Sequence, residues 1–167
     1  TDGMKVLDIS DVKNPVLVSQ VPIQNGAQYN LSLSNDGKTV YLASITPGIY
    51  IIDVSDPLQP SPSGLFGREG TASDYPLAMV ESADGNTLYV AAYEFFLSLD
   101  ISDKSAPIQN YSIGSGGLYS WDIVLSNDES TAFIASGAYV QIYDISDPSQ
   151  AGLITDFVSS GDNDDDG

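Results

Sequence analysis

A short tetrad, Asp-[Ile/Val]-Ser-Asp, occurs four times in the chain and constrains its fold more than any other feature. The copies begin at Asp8, Asp53, Asp100 and Asp144, so the spacings between them are 45, 47 and 44 residues. Self-similarity at a fixed period of this length indicates a repeat architecture in which each copy is one supersecondary unit. We therefore expect an array of modules of about 45 residues.

Between the tetrads lies a second shared segment, which aligns without a gap over 29–44, 77–92 and 121–136. Each copy has an apolar strand, a Ser-x-Asp turn and a second strand ending in aromatic and small aliphatic residues. This pattern predicts a β-hairpin in which the Asp side chain folds onto the turn backbone and Gly37 or its counterpart supplies positive φ. Glu129 replaces that glycine in the third copy, so we expect its turn to be strained or of another type.

A third apolar run precedes each tetrad and a weaker fourth strand follows it. The runs are rich in Val, Ile and Tyr and lack a sustained 3.6-residue period, which argues against helices. Four short strands in about 45 residues are typical of a β-propeller blade. We therefore predict an all-β fold of about three and a half blades, with a partial blade at 4–21 and whole blades at 29–66, 77–113 and 121–158.

The tetrads lie within longer similar segments, VLDISD (6–11), IIDVSDP (51–57), SLDISD (98–103) and IYDISDP (142–148). On these segments the chain resembles the LVIVD repeat family, and the likeness continues up to Ser160. The shared hairpin also resembles those of YVTN and lactonase-type propellers. That wider likeness implies the fold only, because propellers serve many unrelated chemistries.

The number of blades predicts an incomplete ring. Propellers close with about four to eight blades. Three and a half blades would leave apolar faces and unpaired strand edges at both ends. We therefore expect the remaining blades to come from the same chain or from another chain.

Charge and composition exclude several classes of function. The net charge of −18, from 23 acidic and 5 basic residues, would repel phosphate backbones and anionic membranes, so neither nucleic acid nor membrane insertion is expected. No apolar run approaches the roughly 18 to 20 residues that span a bilayer. The sequence contains no His and no Cys, which excludes His-dependent triads and His- or thiolate-ligated zinc within this segment.

The C-terminal segment DNDDDG (162–167) fits Asp-x-Asp-x-Asp-Gly. This pattern is the first half of a calcium loop, in which alternate carboxylates converge on the cation. It resembles the calcium repeats of thrombospondin type 3 and dockerin-like segments of exported proteins. The resemblance implies calcium ligands at Asp162, Asp164 and Asp166 and a secreted or cell-surface location. The alternative is that 161–167 is a flexible acidic linker.

Loops supply the candidate ligand-binding residues. In propellers, the loops before the first strands and those joining the second and third strands lie on one face, where ligands usually bind. The longest loop of the first group contains Arg68, Asp74 and Tyr75, and Glu94 lies in the second group. Arg68 either clamps a carboxylate ligand or pairs with neighbouring surface acids.

A second group of candidates surrounds Trp121, the only tryptophan, which follows closely on Tyr119. This aromatic pair either stacks on sugar rings at a channel mouth or packs in the core, as the alignment of Trp121 suggests. Asp122 stands where the other copies have Asn30 and Ala78. It is either a ligand-binding group facing the central channel or an acid solvated by channel water.

These observations predict a non-catalytic module of a secreted or cell-surface protein. It would bind a protein or glycan partner or serve in structural assembly, and calcium is the one cofactor expected. The alternative is a propeller hydrolase or lactonase whose catalytic groups lie partly on other blades. Most of the acids lie in repeated turns, where a catalytic residue is not expected to occur four times.

Overall fold

The computed structural model describes residues 3–23, 27–67, 75–116 and 119–158, which contain fourteen β-strands and no helix. Among these residues, no helix has the length and hydrophobicity needed to span a membrane. The strands are β1 Met4–Asp8, β2 Val16–Val21, β3 Gln28–Leu33, β4 Thr39–Ser44, β5 Gly48–Asp53, β6 Ser61–Gly67, β7 Pro76–Glu81, β8 Thr87–Ala92, β9 Phe95–Asp100, β10 Ile108–Gly114, β11 Ser120–Leu125, β12 Thr131–Ser136, β13 Tyr139–Asp144 and β14 Gly152–Val158.

Strands that are consecutive in the chain pair side by side in antiparallel sheets. Three sheets have four strands each, and we call them blade 1 (β3–β6), blade 2 (β7–β10) and blade 3 (β11–β14). The remaining two strands, β1 and β2, form a two-stranded sheet that we call the half-blade. The all-β class and the four-stranded module predicted from the repeat are confirmed.

The sheets stack face to face in chain order and approach one another most closely at their first strands. Strand β7 contacts both β3 and β11. An apolar cluster that includes Tyr41, Ile51 and Leu99 fills the space between blades 1 and 2. A second cluster around Phe96 and Tyr143 joins blades 2 and 3, and a third joins the half-blade to blade 1. Each module therefore buries its apolar surface only against its neighbours.

Each tetrad forms a turn after the third strand of its sheet. The Oδ1 atom of the leading Asp accepts the N–H of the Ser two residues later at 2.8 to 3.0 Å. Hydrogen bonds from the amide and hydroxyl of that Ser lower the pKa of the leading carboxyl in all four copies, which are Asp8, Asp53, Asp100 and Asp144. The repeated acids therefore have a structural role in tight turns.

The hairpin turns have the same geometry in all three blades. The N–H groups of Gly37, Gly85 and Glu129 each donate to the carbonyl of the Ser three residues earlier at 2.9 Å. Glu129 has a φ of 53°, so a residue with a Cβ occupies the left-handed region. The first of the two alternatives for this turn is correct, and the strain costs about 1 kcal/mol relative to glycine.

A carboxylate from the following blade binds the hairpin turn of the preceding blade at both interfaces between whole blades. Glu81 Oε2 accepts the N–H of Asn35 at 2.6 Å, and Glu129 Oε1 accepts the N–H of Ala83 at 2.6 Å. Asn35 and Ala83 occupy equivalent repeat positions, whereas Glu81 ends strand β7 and Glu129 lies in a turn. Acids at two different repeat positions thus make the same type of contact at the two interfaces. We call this contact the carboxylate latch.

Glu81 is the centre of a polar network between blades 1 and 2. Its side chain is only 3% exposed, and its Oε1 accepts the hydroxyl of Tyr41 at 2.7 Å and lies 3.2 Å from Nζ of Lys104. Burial and the bond to Glu81 raise the pKa of Tyr41. Beside them, Asn35 Nδ2 donates to the carbonyl of Ser82 at 2.7 Å. A buried carboxylate with several charge-assisted partners holds the two blades in one register.

We predict that Glu81→Gln lowers the free energy of unfolding by about 1–3 kcal/mol, because the amide keeps the shape of the side chain but loses its charge. Chemical denaturation measures the change. The matched control is Glu94→Gln, which removes the same charge from a less buried position of blade 2 and should cost less than about 0.5 kcal/mol. Equal losses in the two variants would contradict the role assigned to Glu81.

Acid should destabilise the fold through the tetrads. The pKa of each leading Asp is lower in the folded chain than the value of about 3.9 expected on unfolding. These groups therefore contribute stability above that pH, and the contribution is lost as pH falls through their folded pKa. Changing all four to Asn keeps an acceptor oxygen in each turn but removes the titration. Thermal unfolding measured from about pH 5 to pH 2 should show a flatter pH dependence in this variant, and parallel curves would refute the assignment.

Candidate ligand-binding face

The first strand of every blade begins with a β-bulge at the same repeat position. The register shifts there leave Tyr29, Leu77 and Trp121 without cross-strand partners. A bulge redirects the side chain of the extra residue. Leu77 remains buried, whereas Tyr29 is exposed and the side chain of Trp121 is 62% exposed. The expectation that Trp121 packs in the core is therefore wrong, since its ring is exposed and stacks on Tyr119.

Five aromatic rings form two groups that we together call the aromatic strip, namely Tyr29 with Tyr75, and Tyr93 with Tyr119 and Trp121. Tyr119 and Trp121 stack with centroids 5.5 Å apart and planes 15° apart, and Tyr93 lies 4.5 Å from Tyr119. Tyr29 and Tyr75 form a second pair with centroids 6.3 Å apart. The carbonyl of Tyr75 accepts the N–H of Tyr93 at 3.1 Å. This backbone bond links one residue of each group, and the strip includes residues from blade 1 to blade 3.

A repeated backbone bond brings the two loop groups together. In each blade, the residue after the second strand donates its N–H to a carbonyl in the loop before the first strand, at 3.1 Å. The donors are Ile45, Tyr93 and Gly137, and the acceptors are Ala27, Tyr75 and Tyr119. Both groups of loops consequently lie at one end of the blades, where the aromatic strip is exposed.

Glu94 borders the strip, whereas Asp122 belongs to a different surface. Glu94 follows Tyr93 in the turn between β8 and β9 and is half-buried. Asp122 is exposed, accepts the N–H of Ile123 at 2.9 Å and lines a groove on the face of blade 3 that is turned away from blade 2. Its counterpart Asn30 reaches the next blade, donating to the carbonyl of Leu77 at 2.6 Å. Asp122 therefore occupies a position that contacts a neighbouring blade.

Five of the predicted site residues lie outside the described residues. They are Arg68 and Asp74 of the long loop and the predicted calcium ligands Asp162, Asp164 and Asp166. Within the residues that the structure describes, no group of three or more acidic, His or Cys side chains is arranged to hold a metal ion.

Sequence reasoning assigned neither Tyr29 nor Tyr93 to the site. A signal was present, because Tyr29 aligns with Trp121 and Tyr75 aligns with Tyr119. The recurrence of aromatic residues at two equivalent positions near the ends of the sheets distinguishes the strip from core aromatics such as Tyr41.

The sequence of this chain matches the LVIVD repeat over residues 29–66, 80–113 and 118–158. These matches cover more than half of its length. The chain belongs to the LVIVD repeat family. No curated protein sequence is significantly similar to it.

Solved structures similar to this LVIVD chain are propellers. A β-propeller domain from Myceliophteria thermophila is 15% identical, with a TM-score of 0.67 over 94% of this chain and 52% of that one. The periplasmic gluconolactonase of Pseudomonas aeruginosa is 12% identical, with a TM-score of 0.75 over 94% and 50%. A functionally unknown protein from Desulfotomaculum acetoxidans is 18% identical, with a TM-score of 0.73 over 92% and 49%. These likenesses establish the fold, so the predicted β-propeller is confirmed, and the chain spans about half the length of each structure.

The exposure of Trp121 can be measured directly because it is the only tryptophan. We predict an emission maximum close to that of a solvated tryptophan and efficient quenching by acrylamide. Tyr119→Ala should increase the quenching further, since it removes the ring stacked on the indole. Blue-shifted emission that resists acrylamide in the unsubstituted chain would show that Trp121 is buried and would exclude the aromatic strip.

Proposed function

We propose that this LVIVD chain is a non-catalytic binding module that recognises glycans through its aromatic strip. The observation that supports the proposal most strongly is the parallel pair Tyr119 and Trp121, which lies exposed at the loop end of the blades. Contiguous exposed apolar surface in a folded domain marks an interaction site. Rings with an apolar face and a polar edge suit a partner that combines apolar and hydroxyl surface, as a sugar does.

The charge of the chain favours a neutral saccharide as the ligand. A net charge of −18 disfavours anionic partners. Glu94, next to Tyr93, offers a carboxylate that accepts hydrogen bonds from sugar hydroxyls. Arg68, Asp74 and Tyr75, in the loop before blade 2, supply further polar contacts in this proposal.

We further infer that the module belongs to a secreted or cell-surface protein and that Asp162, Asp164 and Asp166 bind calcium. The support for both is the Asp-x-Asp-x-Asp-Gly pattern, in which hard carboxylate ligands alternate. Calorimetric titration of the chain with calcium tests the site. Heat that persists after all three residues are changed to Asn would contradict this assignment.

The fold likeness to the periplasmic gluconolactonase of Pseudomonas aeruginosa favours a second candidate, a lactone hydrolase. In that case the chain contributes part of the active site, and the remaining catalytic groups lie on other blades. Measured turnover of a sugar lactone that falls on Glu94→Gln or Asp122→Asn would support this candidate over the binding module.

The deciding experiment is binding of a panel of neutral oligosaccharides, followed by calorimetry on those that bind. We expect Trp121→Ala to weaken binding at least about tenfold, because stacking aromatics supply much of the affinity of such sites. The matched control is Phe157→Ala, which removes an exposed ring of blade 3 outside the strip and should leave affinity unchanged. Absence of saccharide binding, or equal affinity in the Trp121 variant, would refute glycan recognition.

A further inference from the structure

A cavity of about 420 Å³ opens between blades 2 and 3, at the end where strand β10 finishes. Ser115, just after β10, lines it from blade 2, and Tyr139, Gln141 and Asp156 line it from strands β13 and β14 of blade 3. Its volume suits a small organic molecule. We call it the interblade cavity.

The repeat does not require the polar side chains of the interblade cavity. Gln141 lies three residues before its tetrad, where neither other blade has an amide and blade 2 has Leu97. Leu97 is buried in the apolar cluster between blades 1 and 2, so the stacking of blades does not depend on a polar residue here. Asp156, opposite Gln141 on the next strand, stands where neither other blade has an acid. Departures of this kind from a locally consistent pattern are expected at functional sites.

Gln141 forms the floor of the interblade cavity and is only 3% exposed. Its Oε1 accepts the hydroxyl of Ser136 at 3.1 Å, while its Nε2 donates to the carbonyl of Ser115 at 3.3 Å and to Asp156 Oδ1 at 3.4 Å. Burying an amide costs free energy unless its atoms are hydrogen-bonded, so these bonds hold the amide in one orientation. The carbonyl and the carboxylate consequently lie close together, because both accept from one nitrogen.

The charge of Asp156 has no counter-ion within the described part of the chain. No basic side chain there forms an ion pair with it, and its Oδ2 accepts no hydrogen bond from the described residues. Burial and the negative charge of Asp156 raise the pKa of Tyr143 to about 12, so this charge also acts inside the interface between the blades. The interblade cavity is therefore a negatively charged site with unused acceptor capacity.

We propose that the interblade cavity binds a small molecule through a primary ammonium group. An ammonium group has only donors, and the lining offers Asp156 Oδ2, the carbonyl of Ser115 and the hydroxyl of Tyr139 as acceptors. Hydrogen bonds between an ammonium and a carboxylate are stronger than those between neutral groups. Leu153 adds apolar surface for the carbon atoms of the ligand, and the net charge of −18 attracts cations.

Other classes of ligand fit this lining less well. An anion would meet the carboxylate of Asp156, and both hydrogens of the Gln141 amide nitrogen are already donated to protein oxygens. A divalent metal ion needs several oxygen ligands, whereas no described group of three or more acidic, His or Cys side chains could hold one. None of the residues of the aromatic strip lines the interblade cavity, so the ammonium site is separate from the proposed glycan site.

The test is an NMR titration of the isotope-labelled chain with n-butylamine, glucosamine and glucose, at low ionic strength because salt screens charge pairing. We expect both amines to shift the side-chain amide signals of Gln141. Glucose, which resembles glucosamine but lacks the ammonium group, should leave these signals in place. Asp156→Asn should weaken amine binding at least about tenfold, because the amide keeps the shape of the side chain but loses its charge.

The matched control is Asp147→Asn, which removes the same charge from the tetrad turn after β13 and keeps an acceptor oxygen for the N–H of Ser149. This control should leave amine affinity unchanged. A further variant, Gln141→Leu, introduces the residue that blade 2 buries at this position, so the fold should persist. Amine binding, followed at the backbone amide of Ser115, should weaken in it because the carbonyl and the carboxylate are no longer held together.

Equal weakening by Asp156→Asn and Asp147→Asn would show that amines respond only to the net charge of the chain, and it would overturn the proposal. Glucose binding as tight as that of glucosamine, or no shift at Gln141 with either amine, would also overturn it. Trp121→Ala should not alter the binding of n-butylamine, which has no ring to stack. A failure of glycan recognition is therefore distinguishable from a failure of the ammonium site.

Discussion

The packing of one blade face against the next is the interaction on which the rest of this structure depends. A single module of four short strands has apolar side chains on both sides and cannot cover them alone. The clusters around Tyr41 and Phe96 form only because successive blades lie side by side. The position of every loop, and hence the arrangement of the aromatic strip, follows from this stacking. The carboxylate latches fix how adjacent blades are oriented, since each links a turn of one blade to an acid of the next.

Local chemistry made the fold predictable from the sequence. The tetrads specify their own turns, because each leading Asp bonds to a Ser only two residues away, and alternating apolar residues specify the strands. The role of Glu81 was not predictable, since it aligns with Leu33 and Leu125 in an otherwise apolar strand. Its partners lie on a neighbouring blade and in a distant turn, so only the assembled structure brings them together.

The candidate site shows the same division between local and long-range information. The sequence placed Tyr75 and Glu94 in two loop groups of one face and gave a channel mouth as one alternative for Tyr119 and Trp121. The backbone bonds between the loop groups bring them to one end of the blades. The exposure of Trp121 was not predictable from its alignment with Leu77, because the two residues occupy the same bulge position and differ in burial. Asp122 was selected because the other copies have Asn30 and Ala78 at its position, and the contact of Asn30 with the next blade indicates that this position faces a neighbouring blade.

Equilibrium denaturation of Phe96→Ala tests the central claim most directly. The ring of Phe96 is fully buried between blades 2 and 3, so its removal should cost about 3–5 kcal/mol of unfolding free energy. Phe157→Ala, which removes a ring of the same size from an exposed position of blade 3, should cost less than about 0.5 kcal/mol. A loss for Phe96→Ala no larger than that for Phe157→Ala would contradict the account, because the interface between blades would then not stabilise the fold.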